Sequence, residues 1–171
     1  MEYEEISDAT LEGCFRINQS NVPNVGHRSR DSFISLVEYS DYNLSCIDGS
    51  VVGFVVCFED SKKTLQYMQK IGHKNYNWFS KYTKNYLYID RIAILEKYRN
   101  KGIGTRLYKE IALHAVKKGK GLLTAEINLL PEKNSKSFPF HKRNGFSEVA
   151  QIKHSENYKV SMQIKDLTSD N

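Results

Sequence analysis

A strand-like run, Tyr86–Ile94, leads into the basic glycine turn Arg99-Asn100-Lys101-Gly102-Ile103-Gly104, which opens directly into a helical stretch over 105–118. A strand, a short glycine turn and a helix in that order point several backbone N–H groups and the positive end of a helix at one spot. That spot suits an anion such as a pyrophosphate. Glycine is needed where the backbone must turn sharply and approach a ligand without side-chain obstruction. A lone G-x-G also serves many loops for turn geometry only, so the context has to decide. A Walker loop is excluded, because no Lys-Ser or Lys-Thr follows Gly104. The dinucleotide fingerprint is excluded too, because Leu107 stands where its third glycine belongs.

What remains is R-x-x-G-x-G after a strand. With Ile92-Ala93-Ile94 before it and Tyr98-Arg99 at its head, the stretch resembles the acetyl-CoA-binding signature of the GNAT superfamily of N-acetyltransferases. A second match follows in the right order: Asn134 and Ser135, then Phe140-His141-Lys142-Arg143-Asn144-Gly145-Phe146, where the family has Asn, a short helix, an aromatic pair and Gly-Phe. The resemblance covers the chain well from Tyr86 onward and the first half in layout only. Asn75-Tyr76-Asn77-Trp78-Phe79 followed by Tyr88-Ile89-Asp90-Arg91 is similar to a sparsely characterised bacterial subgroup of predicted acetyltransferases in that superfamily.

The rest of the chain fits the same layout. Strands are expected over 3–6, 42–47 and 51–58, the last two joined at Asp48-Gly49, a strong hairpin signal. Helices are expected over 8–18, capped by Asp8, and over 29–39, with Phe33, Leu36 and Val37 as the apolar face. The segment 60–85 is too aromatic for a linker, with Tyr67, Tyr76, Trp78, Phe79 and Tyr82. A helical satellite packed on the sheet and a wall of a substrate pocket both fit it. Tyr86–Ile94, the helix after Gly104 and a strand over 121–129 form a strand–helix–strand unit long enough for parallel strands. A short helix over 134–144 and strands over 148–155 and 158–165 complete the chain. The fold class is α/β (α+β). The resemblance implies a mixed, mostly antiparallel central sheet whose parallel strand–helix–strand unit forms the acetyl-CoA cleft.

The 171 residues fit a single domain over 1–171. The net charge of +5 raises nucleic-acid binding. The basic residues are scattered, however, and the densest stretch, 97–106, is the proposed phosphate loop, so no nucleic-acid partner is expected. No apolar stretch approaches the ~20 residues of a membrane helix, and the acidic start Met1-Glu2-Tyr3-Glu4-Glu5 lacks a signal-peptide core. A cytoplasmic protein with no membrane partner is the simple reading. Cys14, Cys46 and Cys57 suit neither a disulfide framework nor a zinc site, and no metal is expected. Cys46 and Cys57 read as small buried hydrophobes. A homodimer is allowed.

The resemblance implies that acetyl-CoA is the cosubstrate and that its acetyl group passes to a primary amine of a small molecule or peptide. No cysteine lies in either motif, which argues for direct attack rather than an acetyl-cysteine. A catalytically weak acyl-CoA-binding module is the alternative. The amine must lose a proton, the thioester carbonyl must be polarised and the thiolate must be stabilised. On the strand over 121–129, Leu122, Thr124, Glu126 and Asn128 alternate onto one face and Leu123, Ala125, Ile127 and Leu129 onto the other, apolar one. Glu126 is thus a carboxylate on a central strand, and in family members that acetylate protein N-termini a glutamate here is the proton acceptor. Asp90 is the rival base, although a neutralised pair with Arg91 accounts for it. Tyr88 stands where some members carry a glutamate base, but its pKa of about 10 suits that role poorly. His141 occupies the place of the family's tyrosine proton donor, with Tyr108 and Tyr158 as fallbacks. The resemblance gives Ile92, Ala93 and Ile94 main-chain contacts to pantetheine. It gives Asn100, Lys101, Gly102, Ile103, Gly104 and Thr105 the pyrophosphate, with Arg99 bracing the loop or touching phosphate. Asn134, with His141, contacts the pantetheine arm. Two departures stand out: about three extra residues between Glu126 and Asn134, and Pro139, which a helix accepts only in its first turn.

Overall fold

A computed structural model describes residues 1–168; 169–171, the end of the expected domain, lie outside the described residues. Among the described residues, seven strands hydrogen-bond in the order β1-β2-β3-β4-β5-β7-β6. Pairing is mostly antiparallel, and β4 (Tyr86–Ile94) runs parallel to β5 (Leu122–Leu130) through the register Tyr86↔Leu122 to Tyr88↔Thr124. With six α-helices among the described residues, this is the mixed α/β architecture expected from the sequence. By contact density the chain forms two compact units, and β4 contributes to both: Tyr86–Tyr88 to one and the rest to the other.

The first unit comprises Met1–Phe58 and Ile89–Glu110. It contains β1 (Glu2–Glu4), α1 (Asp8–Ser20), α2 (Arg30–Tyr39), β2 (Tyr42–Ile47) and most of β3 (Val51–Glu59). α1 is capped by Ser7, not Asp8. The Ser7 carbonyl accepts from the backbone N–H groups of Thr10 and Leu11 at 2.9 and 2.8 Å, and its own N–H donates to Thr10 Oγ1 at 3.0 Å. Asp8 becomes the first helical residue, where its charge still favours the helix dipole. Ser29 caps α2 through its hydroxyl, which accepts from Ser32 N–H. The apolar face of α2 is buried as expected: Phe33 meets Phe54 edge-on at 5.6 Å, and Leu36 and Val37 lie beside it in the core. All three cysteines are free and buried, and burial pushes the Cys14 thiol up to about 12.

The second unit holds Glu59–Tyr88 and the chain from Ile111 on. α5 (Ile103–Lys117) begins in the first unit and ends here. β5, α6 (Ser137–Arg143), β6 (Ser147–Ser155) and β7 (Tyr158–Asp166) follow it. The aromatic segment 60–85 folds into two helices, α3 (Lys62–Lys70) and α4 (Lys74–Tyr82). The Asp60 carboxylate ties its two ends together, accepting from Asn85 N–H at 2.5 Å and from Lys120 Nζ at 2.6 Å. Tyr76 and Phe79 of α4 are fully buried against Tyr86 and Tyr88. On the outer side of α4, Trp78 stacks on Tyr82 one turn later, with ring centres 4.5 Å apart and planes 17° off parallel.

The extra residues after Glu126 are absorbed by β5 itself. Its pairing with β7 shifts register between Asn128 and Leu130, a bulge that lets the strand run on to Leu130 before the Pro131 turn. Pro139 is the third residue of α6, which starts late, as the proline requires.

Candidate functional site

The glycine turn has the geometry that its sequence implies. Asn100 and Gly102 both adopt positive φ, at 60° and 79°. Glycine takes that conformation without strain, and asparagine tolerates it better than most residues. The Gly102 carbonyl accepts from Arg106 N–H at 3.0 Å, so α5 begins immediately after it. The N–H groups of an opening helical turn have no intrahelical acceptors, and here they belong to Ile103, Gly104 and Thr105. Asn100, Lys101 and Gly102 are exposed, and a methyl group added to Gly102 would touch nothing within 4 Å. Lys97 and Lys101 stand over the Tyr98 ring at 5.3 and 5.0 Å from its centre, adding positive charge beside the turn. An open, glycine-hinged helix start flanked by ammonium groups fits a pyrophosphate.

Arg99 braces the loop. Its Nη2 donates to Asn21 Oδ1 at 2.7 Å and its Nε to the Ile94 carbonyl at 3.3 Å, so the turn, the end of β4 and the end of α1 are held together. Ala93 is buried, while Ile92 and Ile94 are half-buried. Gly53 on β3 faces this backbone: a Cβ there would stand 3.2 Å from the Ala93 carbonyl oxygen and from Ile94 Cγ1. Sequence reasoning missed both Asn21 and Gly53. A glycine inside the apolar run 51–58 was the available signal for the second.

Asp90 is engaged in a buried ion pair. Its Oδ2 lies 2.7 Å from Arg91 Nε, and both side chains are almost wholly inaccessible. Arg91 Nη1 also donates to Asn18 Oδ1 at 2.6 Å and to the Gly26 carbonyl at 3.2 Å. The neutralised pair anticipated from the sequence is the arrangement found.

In the second unit Glu126 is half-buried on β5, and its Oε2 accepts from the Tyr88 hydroxyl at 2.7 Å. The parallel register Tyr88↔Thr124 brings the two side chains onto one face. Tyr88 is fully buried among His73, Tyr76 and Phe79, with ring centres 5.6, 5.6 and 5.9 Å away. The residue set aside as a poor base is therefore the clamp on the carboxylate.

His141 is 4 % exposed and lies edge-on to Phe146 at 5.2 Å. Its Nδ1 is 2.9 Å from the Ser137 carbonyl and 3.1 Å from the Ser137 hydroxyl; a carbonyl only accepts, so a bond to it requires the proton on Nδ1. Burial lowers its pKa to about 4, outweighing the opposing effect of the Ser137 bond. Asn134 closes the turn before α6: its N–H donates to the Asn128 carbonyl at 3.0 Å, and its Oδ1 accepts from Ser137 N–H at 3.2 Å.

A further polar group was invisible in sequence because its members are far apart in the chain. Asn75, buried in the first turn of α4, donates from Nδ2 to the Tyr158 hydroxyl at 2.8 Å and meets His154 Nε2 with Oδ1 at 2.7 Å. His154 and Tyr158 flank the β6–β7 turn.

Comparison with known proteins bears on the family and the fold. The model of the family described as Acetyltransferase (GNAT) family matches residues 13–146. Ard1 from Thermoplasma volcanium superposes with a TM-score of 0.74 at 18% identity, covering 96% of each chain. The ribosomal-protein-S18-alanine N-acetyltransferase from Escherichia coli gives 0.68 at 14% identity, covering 97% of this chain and 93% of that one. The Salmonella typhimurium protein yncA, solved with its cofactor acetyl-CoA, gives 0.70 at 15% identity over 98% and 94%. No curated protein sequence matches significantly.

Proposed function

The chain belongs to the GNAT family of acetyltransferases, and on that premise we propose that it transfers the acetyl group of acetyl-CoA to a primary amine by direct attack of the amine. The family uses acetyl-CoA. When bound, that cosubstrate supplies a thioester carbon to which the amine nitrogen bonds as the carbon–sulfur bond breaks. The observation that carries the reading is the Glu126 carboxylate held at 2.7 Å by a buried tyrosine on the neighbouring strand.

We assign the pyrophosphate to the backbone from Asn100 to Thr105, with Lys97 and Lys101 adding charge and Arg99 holding the loop in shape. Main-chain groups of Ile92, Ala93 and Ile94 and the amide of Asn134 orient the pantetheine arm. Glu126 accepts the amine proton, directly or through one water. The Tyr88 hydroxyl, donating to Oε2, keeps the carboxylate in one rotamer. Asp90 serves the structure by neutralising Arg91. His141 is the candidate proton donor by motif position, but at about 4 its pKa leaves the ring neutral near pH 7. A thiol has a pKa near ~8.5, so a departing thiolate can also take its proton from solvent. His141 then orders α6 beside Asn134 without titrating.

Glu126→Gln tests the assignment. An amine with a pKa near ~10 is almost all ammonium at pH 7, so a base matters most at low pH. The substitution should lower kcat/KM by about 100-fold near pH 6.5 and by much less near pH 9. Equal loss at both ends, or none, removes Glu126 from the role.

A further inference from the structure

The helix α4 lies outside the family motifs. α4 reaches two places at once within the second unit. Through Tyr76 and Phe79 it packs against Tyr88, the residue that clamps Glu126. Through Asn75 it grips the turn end of the β6–β7 hairpin: Nδ2 donates to the Tyr158 hydroxyl, and Oδ1 accepts from His154 Nε2–H. Both hydrogen-bonding ends of the Asn75 amide are spent on the hairpin, and the side chain is 3 % exposed. Asp60 closes the base of the α3–α4 excursion by holding Asn85 and Lys120. The excursion is therefore fixed at its root and at its tip.

A buried side-chain amide satisfied at both ends is costly to separate, because each orphaned group then loses its partner away from water. α4 is accordingly a fixed wall over Tyr86 and Tyr88 of β4, the second of which holds Glu126. An extended peptide needs an open strip of sheet or an unblocked groove along which its main chain can lie. Here α4 covers that face of β4 at Tyr86 and Tyr88, and the Asn75 bridge joins it to the hairpin. A compact amine needs only room for its head at the half-buried Glu126.

Resting on the acetyltransferase assignment above, we propose that Asn75 latches α4 to the β6–β7 hairpin as an acceptor-selecting wall, and that the acceptor is a small primary amine rather than the N-terminus of a peptide. Asn75 is here a specificity-determining residue and touches no reacting atom.

The test is CoA release by the full chain on two sets of acceptors: free amino acids, polyamines and aminoglycosides, against peptides with varied first residues. The best small amine should exceed the best peptide in kcat/KM by about tenfold or more, a ratio equivalent to 1.4 kcal/mol. Asn75→Ala should collapse that ratio mainly by raising KM for the small amine, with acetyl-CoA affinity unchanged. Asn75→Asp should keep it, because a carboxylate can accept from both His154 and the Tyr158 hydroxyl. Peptides preferred by the wild-type protein would overturn the inference while leaving the acetyltransferase reading intact, and that comparison stands even if the alanine variant does not fold. A ratio unmoved in folded Asn75→Ala removes the latch. Acetyl-CoA bound without turnover on either set would sink the catalytic reading itself, and this inference with it.

Discussion

Acid should loosen this protein through His141. The ring is 4 % exposed, and its pKa falls from 6.5 to about 4 because burial disfavours the imidazolium. In the unfolded chain the same ring titrates near its ordinary value. Between those values the unfolded state binds more protons, so stability rises with pH through the window. The contribution is complete above about pH 6.5 and is lost as the pH falls toward 4. The gap between the values corresponds to about 3 kcal/mol in total, of which about 2 kcal/mol is lost between pH 7 and pH 5. Solvent screening takes little from a group so deeply placed. Urea unfolding across that range should show the loss in the wild-type protein. His141→Gln, which keeps a donor for the Ser137 carbonyl and does not titrate, should lose about 2 kcal/mol less; taking the difference cancels the carboxylates common to both. Equal acid sensitivity in the two proteins, or an NMR titration of His141 near 6.5, would refute the reasoning. The same measurement bears on chemistry, since a ring titrating near 4 holds a proton in only about one molecule in a thousand at pH 7.

The remaining predictions separate loop from core. Gly102→Val forces a β-branched residue to φ near 79°, which costs about 1–2 kcal/mol and turns the helix start away from its anion. The rise in Tm that acetyl-CoA gives the wild type should vanish, whereas a surviving rise would place the phosphates elsewhere. Asp90→Asn strands the buried Arg91 charge and should cost about 3–5 kcal/mol in unfolding free energy. The acid limb of kcat/KM should stay where it is in the folded fraction. A moved limb would make Asp90 the base in place of Glu126.

Local signals carried most of the fold. The bounds of β4 are those that its β-branched and aromatic run implied, and the Asp48-Gly49 turn sits between β2 and β3, with Gly49 at φ 69°. α1 begins where Ser7, not Asp8, supplies the cap, because two adjacent capping residues cannot be ranked from sequence alone. The glycine turn was legible for the same local reason: positive φ at Asn100 and Gly102 is a property of those residues themselves. The site residues that escaped notice depend on tertiary approach. Asn21 reaches Arg99 across 78 positions and Asn75 reaches Tyr158 across 83, and no periodicity encodes such pairs. The Tyr88–Glu126 bond needed the register of a parallel ladder. His141 was read from its motif, whereas its burial against Phe140 and Phe146, which decides its protonation, became apparent only with α6 packed.

The Trp78–Tyr82 stack gives the molecule an optical reporter. Trp78 is the only tryptophan in the chain, so indole emission, and the exciton signal of two rings 4.5 Å apart, arise from α4 alone. Indole emission, excited to the red of the tyrosines, therefore watches the helix that carries Asn75 without a label. An amine that displaces α4 will change that emission, and one that seats beneath an unmoved helix will leave it as it was.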